Sequence, residues 1–97
     1  MRLAPEGGRE MFVYLMRTYR YSCRSLAEAV TAELDRRHRD FGAPKLTCSK
    51  SHIGNLRSGA ARVCSREIAS AIEQILQVQP GVLFVPKLHT VQAPTAA

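Results

Sequence analysis

The chain has 97 residues, enough for one domain, and its 45% hydrophobic and 23% charged content is that of a globular protein. Fourteen Lys and Arg residues against eight acids give a net charge of +6, which favours a polyanionic partner. Three cysteines without a CxxC pair exclude a disulfide framework and favour a reducing cytoplasm. We find no secretory signal, and no apolar run reaches the roughly 18 residues of a membrane span. A soluble protein without membrane contact is therefore expected.

Apolar residues at helical spacing, together with serines suited to N-capping, predict four helices. In chain order the helices cover about 9–20, 23–39, 50–57 and 66–76, and the last three follow Ser22, Ser49 and Ser65. Pro80 favours one further short helical turn. The expected fold class is thus all-α, a compact four- to five-helix domain over 9–86. The termini, 1–8 and 87–97, are expected to be flexible, and no strand is predicted.

Two stretches carry a resemblance to a known family. The segment YSCRSLAEAV (21–30), followed by SKSHIGNLRSG (49–59), resembles the helix-turn-helix of lambda-type repressors and Cro proteins, the XRE-like family. It is most similar to the small helix-turn-helix proteins of actinobacterial phages. The resemblance continues through ARVCSREIASAIEQILQVQPGVLF (61–84) and covers roughly 10–86. It implies a sequence-specific, double-stranded DNA-binding transcriptional regulator, a phage repressor or Cro-like protein in the bacterial cytoplasm, with a two-fold homodimer as the default assembly.

The helix over about 49–58 is the recognition helix in this interpretation. Ile53 and Leu56 would anchor it on the domain, and a small Ala27 would let it cross close to the second helix. Its other face could then enter a major groove about 12 Å wide, where Lys pairs with guanine, Asn with adenine and Ser with several bases. The candidate base-reading residues are Lys50, Ser51, His52 and Asn55. The resemblance places all of them except His52 at base-reading positions, and His52 is adjacent.

Arginines around this helix are candidates for contacts to the DNA backbone. Arg24 lies in the first turn of the second helix, whose N-terminal amides also favour phosphate. The others follow the recognition helix, where the family grips the backbone. The predicted phosphate contacts are Arg24, Arg57, Arg62 and Arg66.

The chain departs from the motif between Thr31 and Cys48, where the usual turn has about three to four residues. Strong helix formers, an inward Leu34 and acid–base pairs four residues apart (Glu33–Arg37 and Asp35–Arg39) extend the second helix to about Arg39. We expect it to project beyond the domain, with Phe41 or Leu46 folding back over its apolar side. A basic arm would result, formed by Arg36, Arg37, Arg39 and Lys45. It could contact flanking phosphates, mediate a dimer contact or be a solvated spacer.

Other functional classes have less support in the sequence. Cys48 and His52 form only one loose ligand pair, so we expect thiols and no metal site. The chain has no phosphate loop, HExxH or GxSxG motif, so neither an enzyme, a cofactor nor a small-molecule substrate is expected. The main alternative is a helical protein-interaction adaptor or antitoxin-type module, since a fold does not by itself fix a function.

Overall fold

The computed structural model describes residues 1–86 and is mostly helical, as predicted. Its helices are α1 (Gly8–Thr18), α2 (Cys23–Phe41), α3 (Lys50–Ser58) and α4 (Arg66–Ile75), and its strands are β1 (Arg2–Leu3) and β2 (Phe84–Val85). The tail expected to be flexible, 87–97, lies outside the described residues.

The three predicted serine caps are confirmed. The Ser22 hydroxyl accepts the backbone N–H of Ser25 at 3.0 Å, and the Ser25 hydroxyl accepts that of Ser22 at 2.9 Å, which completes a capping box. Ser49 and Ser65 each accept the N–H three residues further on, at 3.0 and 3.2 Å. Each cap supplies an acceptor for an amide that has no partner inside its helix.

Glycines end α2 and α3 where the sequence predicts a stop. Gly42 and Gly59 adopt φ values of 69° and 89°, a left-handed conformation that costs a residue with a β-carbon. Both amides return to carbonyls of the last helical turn, and α2 consequently extends two residues beyond the predicted Arg39.

The core lies where α2 packs against α3 and α4, and α1 packs against α3. The predicted stripe on α2, Leu26, Val30 and Leu34, is at most 2% exposed. The anchors of α3, Ile53 and Leu56, are fully buried in the same cluster, so they hold α3 on the domain with its other face outward. The small Ala27 is buried as expected.

A two-stranded antiparallel sheet differs from the expectation of a strand-free fold with a loose start. Arg2 pairs with Val85 and Leu3 with Phe84, while Arg2 also bridges to Val63. Leu3 is only 5% exposed, because pairing places its side chain in the core. Strands of two residues are too short to show the alternation that identifies a strand in a sequence.

The segment at Pro80, predicted to form one further short helical turn, is not helical in the structure. Gly81 has a φ of 89°, which ends any helical path, and the chain turns into β2. The buried Glu73 side chain holds this segment: its Oε2 accepts the N–H groups of Gly81, Leu83 and Phe84 at 3.2, 3.3 and 3.1 Å. The expected packing on the core is nevertheless present, since Leu83 and Phe84 are fully buried.

A pair of hydrogen bonds closes the long insertion at its base. The Thr31 hydroxyl donates to the Cys48 carbonyl at 3.1 Å and accepts the Cys48 N–H at 3.0 Å. The insertion, residues 32–47, therefore begins and ends at neighbouring positions of the domain. Leu46 is the residue that packs back on the core, while Phe41 remains 74% exposed beside the Arg36 guanidinium.

The extended part of α2 was expected to project beyond the domain. Instead, an ionic network ties it to α4 through Arg37. Glu33, only 9% exposed, accepts hydrogen bonds from Arg36 at 2.7 and 3.1 Å and from Arg37 at 2.7 Å. Arg37 also donates to Ser70 at 3.1 Å and to Gln74 at 2.8 Å on α4. Of the two predicted acid–base pairs on this helix, only Glu33–Arg37 forms an ion pair within residues 1–86.

This network predicts acid sensitivity. The hydrogen bonds from Arg36, opposed by burial and aided by Arg37, lower the pKa of Glu33 from 4.5 to about 2. A depressed carboxyl pKa stabilises the fold above pH 4.5, and this contribution is lost as the pH falls towards 2. The free energy of unfolding should therefore decrease by about 2–3 kcal/mol more in the natural protein than in Glu33→Gln over this range.

Chemical denaturation at a series of pH values measures this difference. Glu28→Gln is the matched control, because Glu28 is exposed on the same helix and has no ion-pair partner within residues 1–86. It should retain the acid sensitivity of the natural protein. Equal acid sensitivity in Glu33→Gln would contradict the prediction.

Candidate nucleic-acid interface

The outward face of α3 and the first turn of α2 form one open groove of about 690 Å³. We call it the α2–α3 groove. Most of the residues that line it are predicted to contact DNA. The others are Ser22, Cys23 and Gly54. The predicted residues in it are Arg24, Lys50, Ser51, Asn55 and Arg57.

The groove is basic, and none of the residues within 1–86 that line it is acidic, although Arg24 and Lys50 also line an adjoining cleft that contains Glu28 and Asp35. Arg24, Lys50 and Arg57 are exposed, and none forms an ion pair within residues 1–86. Positive charges without an ion-pair partner in a concave surface attract a polyanion over several ångströms. Asn55 and Ser51, also exposed, add neutral donors and acceptors between these charges.

Packing of α3 across the start of α2 produces this arrangement. A β-carbon at Gly54 would lie 3.9 Å from the Cys23 sulfur, so the two helices approach closely at the floor of the groove. The first-turn amides of Cys23 and Arg24 have no acceptor within their own helix. Together with the helix dipole, these amides favour a negative group at this end of α2.

His52, which the sequence predicts as a base-reading candidate, does not line the groove. Its side chain is half-buried, and its Nε2 atom is enclosed without a hydrogen-bond partner within the described residues. Residues four apart share a helix face, so His52 lies on the side of the buried Leu56, whereas Ser51 lies with Asn55.

Arg62 and Arg66 lie outside the α2–α3 groove, although both are exposed. Arg62 follows α3, and its carbonyl accepts the N–H of Leu3 at 2.9 Å, which fixes the backbone of this connection. Arg66 is the first residue of α4. Both retain free guanidinium groups within residues 1–86, so they stay candidates for backbone contacts.

The four cations of the predicted arm are not brought together as one free surface. Arg36 and Arg37 are bound to Glu33, and Arg37 is further held by α4. Arg39 and Lys45 line a separate shallow cleft that also contains Asp35. Of the predicted basic arm, Arg39 and Lys45 therefore remain as exposed candidates for contacts to flanking phosphates.

Sequence reasoning missed a second basic cleft, of about 480 Å³, between α1 and the end of α3. Its charged residues are Arg9, Arg17 and Arg57, and Arg57 is shared with the α2–α3 groove. Arg9 and Arg17 are eight residues apart, which places them on one side of α1. That spacing was the available signal, but it does not show which element this side of α1 faces.

The cysteines are free thiols, and two of them are strongly buried. Burial raises the pKa of Cys48 to about 11 and that of Cys64 to about 12, so both remain protonated near neutral pH. Within residues 1–86 no group of three or more His, Cys, Asp or Glu side chains is arranged to hold a metal ion. None of the helices there is both long and apolar enough to cross a membrane.

Comparison with known proteins does not assign the chain to a family. It matches no family model, no curated protein and no solved structure. The geometry and charge of the α2–α3 groove are therefore the features that bear on function.

Proposed function

We propose that the protein is a sequence-specific double-stranded DNA-binding transcriptional regulator of the helix-turn-helix repressor type. In this proposal α3 is the recognition helix and enters the major groove. The observation that carries it is the α2–α3 groove, where Arg24, Lys50 and Arg57 surround the polar side chains of Ser51 and Asn55 and no acidic residue within 1–86 lines the groove.

Four side chains of the groove have roles suited to their chemistry. Lys50 donates to guanine O6 or N7, and Asn55 forms two hydrogen bonds with adenine, so these residues supply sequence preference. Arg24 and Arg57 neutralise backbone phosphates, together with the first-turn amides of α2. Such contacts fix the orientation of α3 and add affinity that does not depend on sequence.

The closed base of the insertion supports the helix-turn-helix interpretation. Because Thr31 and Cys48 are hydrogen-bonded to each other, α3 begins next to the position where a short turn after Val30 would start it. The additional residues then change the length of α2 without separating the two helices of the motif. A target on DNA in a bacterial cell implies action in the cytoplasm, and a palindromic site would recruit two copies.

A protein-interaction adaptor or antitoxin-type module is the second candidate. The observation that favours it is an exposed apolar strip on α1, where Met11 is 39% and Tyr14 65% exposed. Large exposed apolar side chains at helical spacing are suited to bury against another helix. An adaptor of this kind would not need the basic α2–α3 groove, so its DNA binding should be weak and unaffected by changes in α3.

Substitutions in α3 test the proposed function. The preferred site is first obtained by selecting bound sequences from a random duplex pool. On that site Lys50→Ala and Asn55→Ala should each weaken binding by about 1–3 kcal/mol and relax the preference at one base position. Each change removes a base contact but no core contact, because both side chains are exposed.

Arg62→Ala is the contrasting variant, since a lost backbone contact weakens all sequences alike. Circular dichroism and thermal unfolding verify that each variant is folded. Selection that yields no preferred site, or unchanged affinity and specificity in folded Lys50→Ala and Asn55→Ala, would exclude α3 as the recognition helix.

A further inference from the structure

The cleft between α1 and the end of α3 has the features of an anion site in its own right. It is lined by three arginines, by the half-buried Tyr21 and by Ser58, and none of its lining residues in the described part of the chain is acidic. Arg9, Arg17 and Arg57 form no ion pair within residues 1–86. A concentration of like charges is unfavourable in the isolated domain, and a bound anion would relieve it.

Arg9 is held in place before any ligand binds. Its Nε donates to the Arg57 carbonyl at 2.9 Å, which satisfies one of the open carbonyls at the end of α3. The lack of a side chain at Gly59 makes room for it, because a β-carbon there would lie 3.3 Å from the Arg9 Nε. The remaining guanidinium N–H groups have no partner within residues 1–86, and a fixed guanidinium loses little entropy on binding.

The cleft is continuous with the α2–α3 groove through Arg57, which lines both. A helix in the major groove has phosphates along both edges of that groove. A basic cleft beside the last turn of such a helix is therefore placed to meet the backbone just outside the base-reading segment.

We infer that the α1–α3 cleft is a second phosphate-binding site, in which Arg9 and Arg17 hold the DNA backbone next to the segment contacted by α3. This inference rests on the proposed function of the α2–α3 groove. It adds α1 to the DNA-binding surface and lengthens the bound segment of duplex.

Arg17→Gln tests the site, because Arg17 is exposed and makes no hydrogen bond within the described residues that its loss would break. One lost phosphate contact should lower the slope of log K against log salt by about 0.9, which weakens binding about 15-fold at 50 mM salt and about fourfold at 200 mM. The loss should appear on a duplex of about two helical turns and be much smaller on one of about 10 base pairs. Arg17→Lys, which keeps the charge, should bind nearly as tightly as the natural protein.

Arg2→Gln is the matched control, since it removes one exposed positive charge from β1, outside both clefts. An Arg17→Gln loss no larger than that of Arg2→Gln would be an effect of net charge and would overturn the inference. If Lys50→Ala and Asn55→Ala weaken binding while Arg17→Gln leaves it unchanged, only the α1 site is excluded. If the natural protein does not bind either duplex, the proposed function and this inference both fail.

Discussion

The affinity for a preferred duplex is expected to fall about 250- to 1000-fold as salt rises from about 50 to about 200 mM. About five phosphates neutralised per protomer give a slope of log K against log salt near −4 to −5. In and around the α2–α3 groove there are enough exposed cations without an ion-pair partner in residues 1–86 for this number, among them Arg24, Lys50 and Arg57. Fluorescence anisotropy with a labelled duplex measures the slope directly.

Arg36→Gln provides a control for net charge in this experiment. The Arg36 side chain is engaged by Glu33 and lies outside the groove, so its removal should leave the slope unchanged. A shallow salt response of the natural protein would mean that phosphates contribute little, and the adaptor interpretation would then be favoured.

Glu73→Ala should produce the largest loss of stability among the substitutions considered. It removes the acceptor of three backbone N–H groups, two of them in the fully buried residues Leu83 and Phe84. A buried donor without a partner costs about 1–3 kcal/mol, and the three share one oxygen, so we expect a total of about 3–5 kcal/mol. The segment that includes β2 should be released first, because these bonds hold it on the core.

Urea denaturation measures the loss, and amide hydrogen exchange at Leu83 and Phe84 shows where it arises. Glu73→Gln keeps one acceptor oxygen and should be less destabilised. Glu67→Ala is the control on the same helix, where a first-turn acid is worth less than about 1 kcal/mol. Similar stability of Glu73→Ala and Glu67→Ala would show that the buried carboxylate does not hold β2.

The helices could be predicted from the sequence because their limits are set by local chemistry. Ser22, Ser49 and Ser65 each act on an amide three residues away, and Gly42 and Gly59 each act on the last turn of a helix. Apolar spacing within each helix then identified the buried faces. All of this information lies within a few residues of the position concerned.

The small sheet and the course of the chain after α4 could not be predicted in this way. The partners of β1 are more than fifty residues distant in the sequence, and each strand is only two residues long. Nothing in the local sequence pattern around Glu73 shows that the chain after Pro80 folds over it. Its role depends on tertiary packing.

Only part of the candidate site could be predicted from the sequence, because its assembly also depends on tertiary packing. The outward positions of α3 follow from the buried Ile53 and Leu56, and this rule also assigns His52 to the inner side when applied strictly. The basic side of α1 could be recognised from the spacing of Arg9 and Arg17. Its position beside the end of α3 required the three-dimensional arrangement.

The hydrogen-bonded base formed by Thr31 and Cys48 also has a practical consequence for protein engineering. Because these two residues fix the return of the chain, the exposed stretch around Pro44 and Lys45 can accept foreign sequence without displacing α3. A fluorescent label or peptide tag inserted there would report on the domain from a site outside the α2–α3 groove. The same closure should allow this loop to be lengthened or shortened while the helices on either side keep their relative positions.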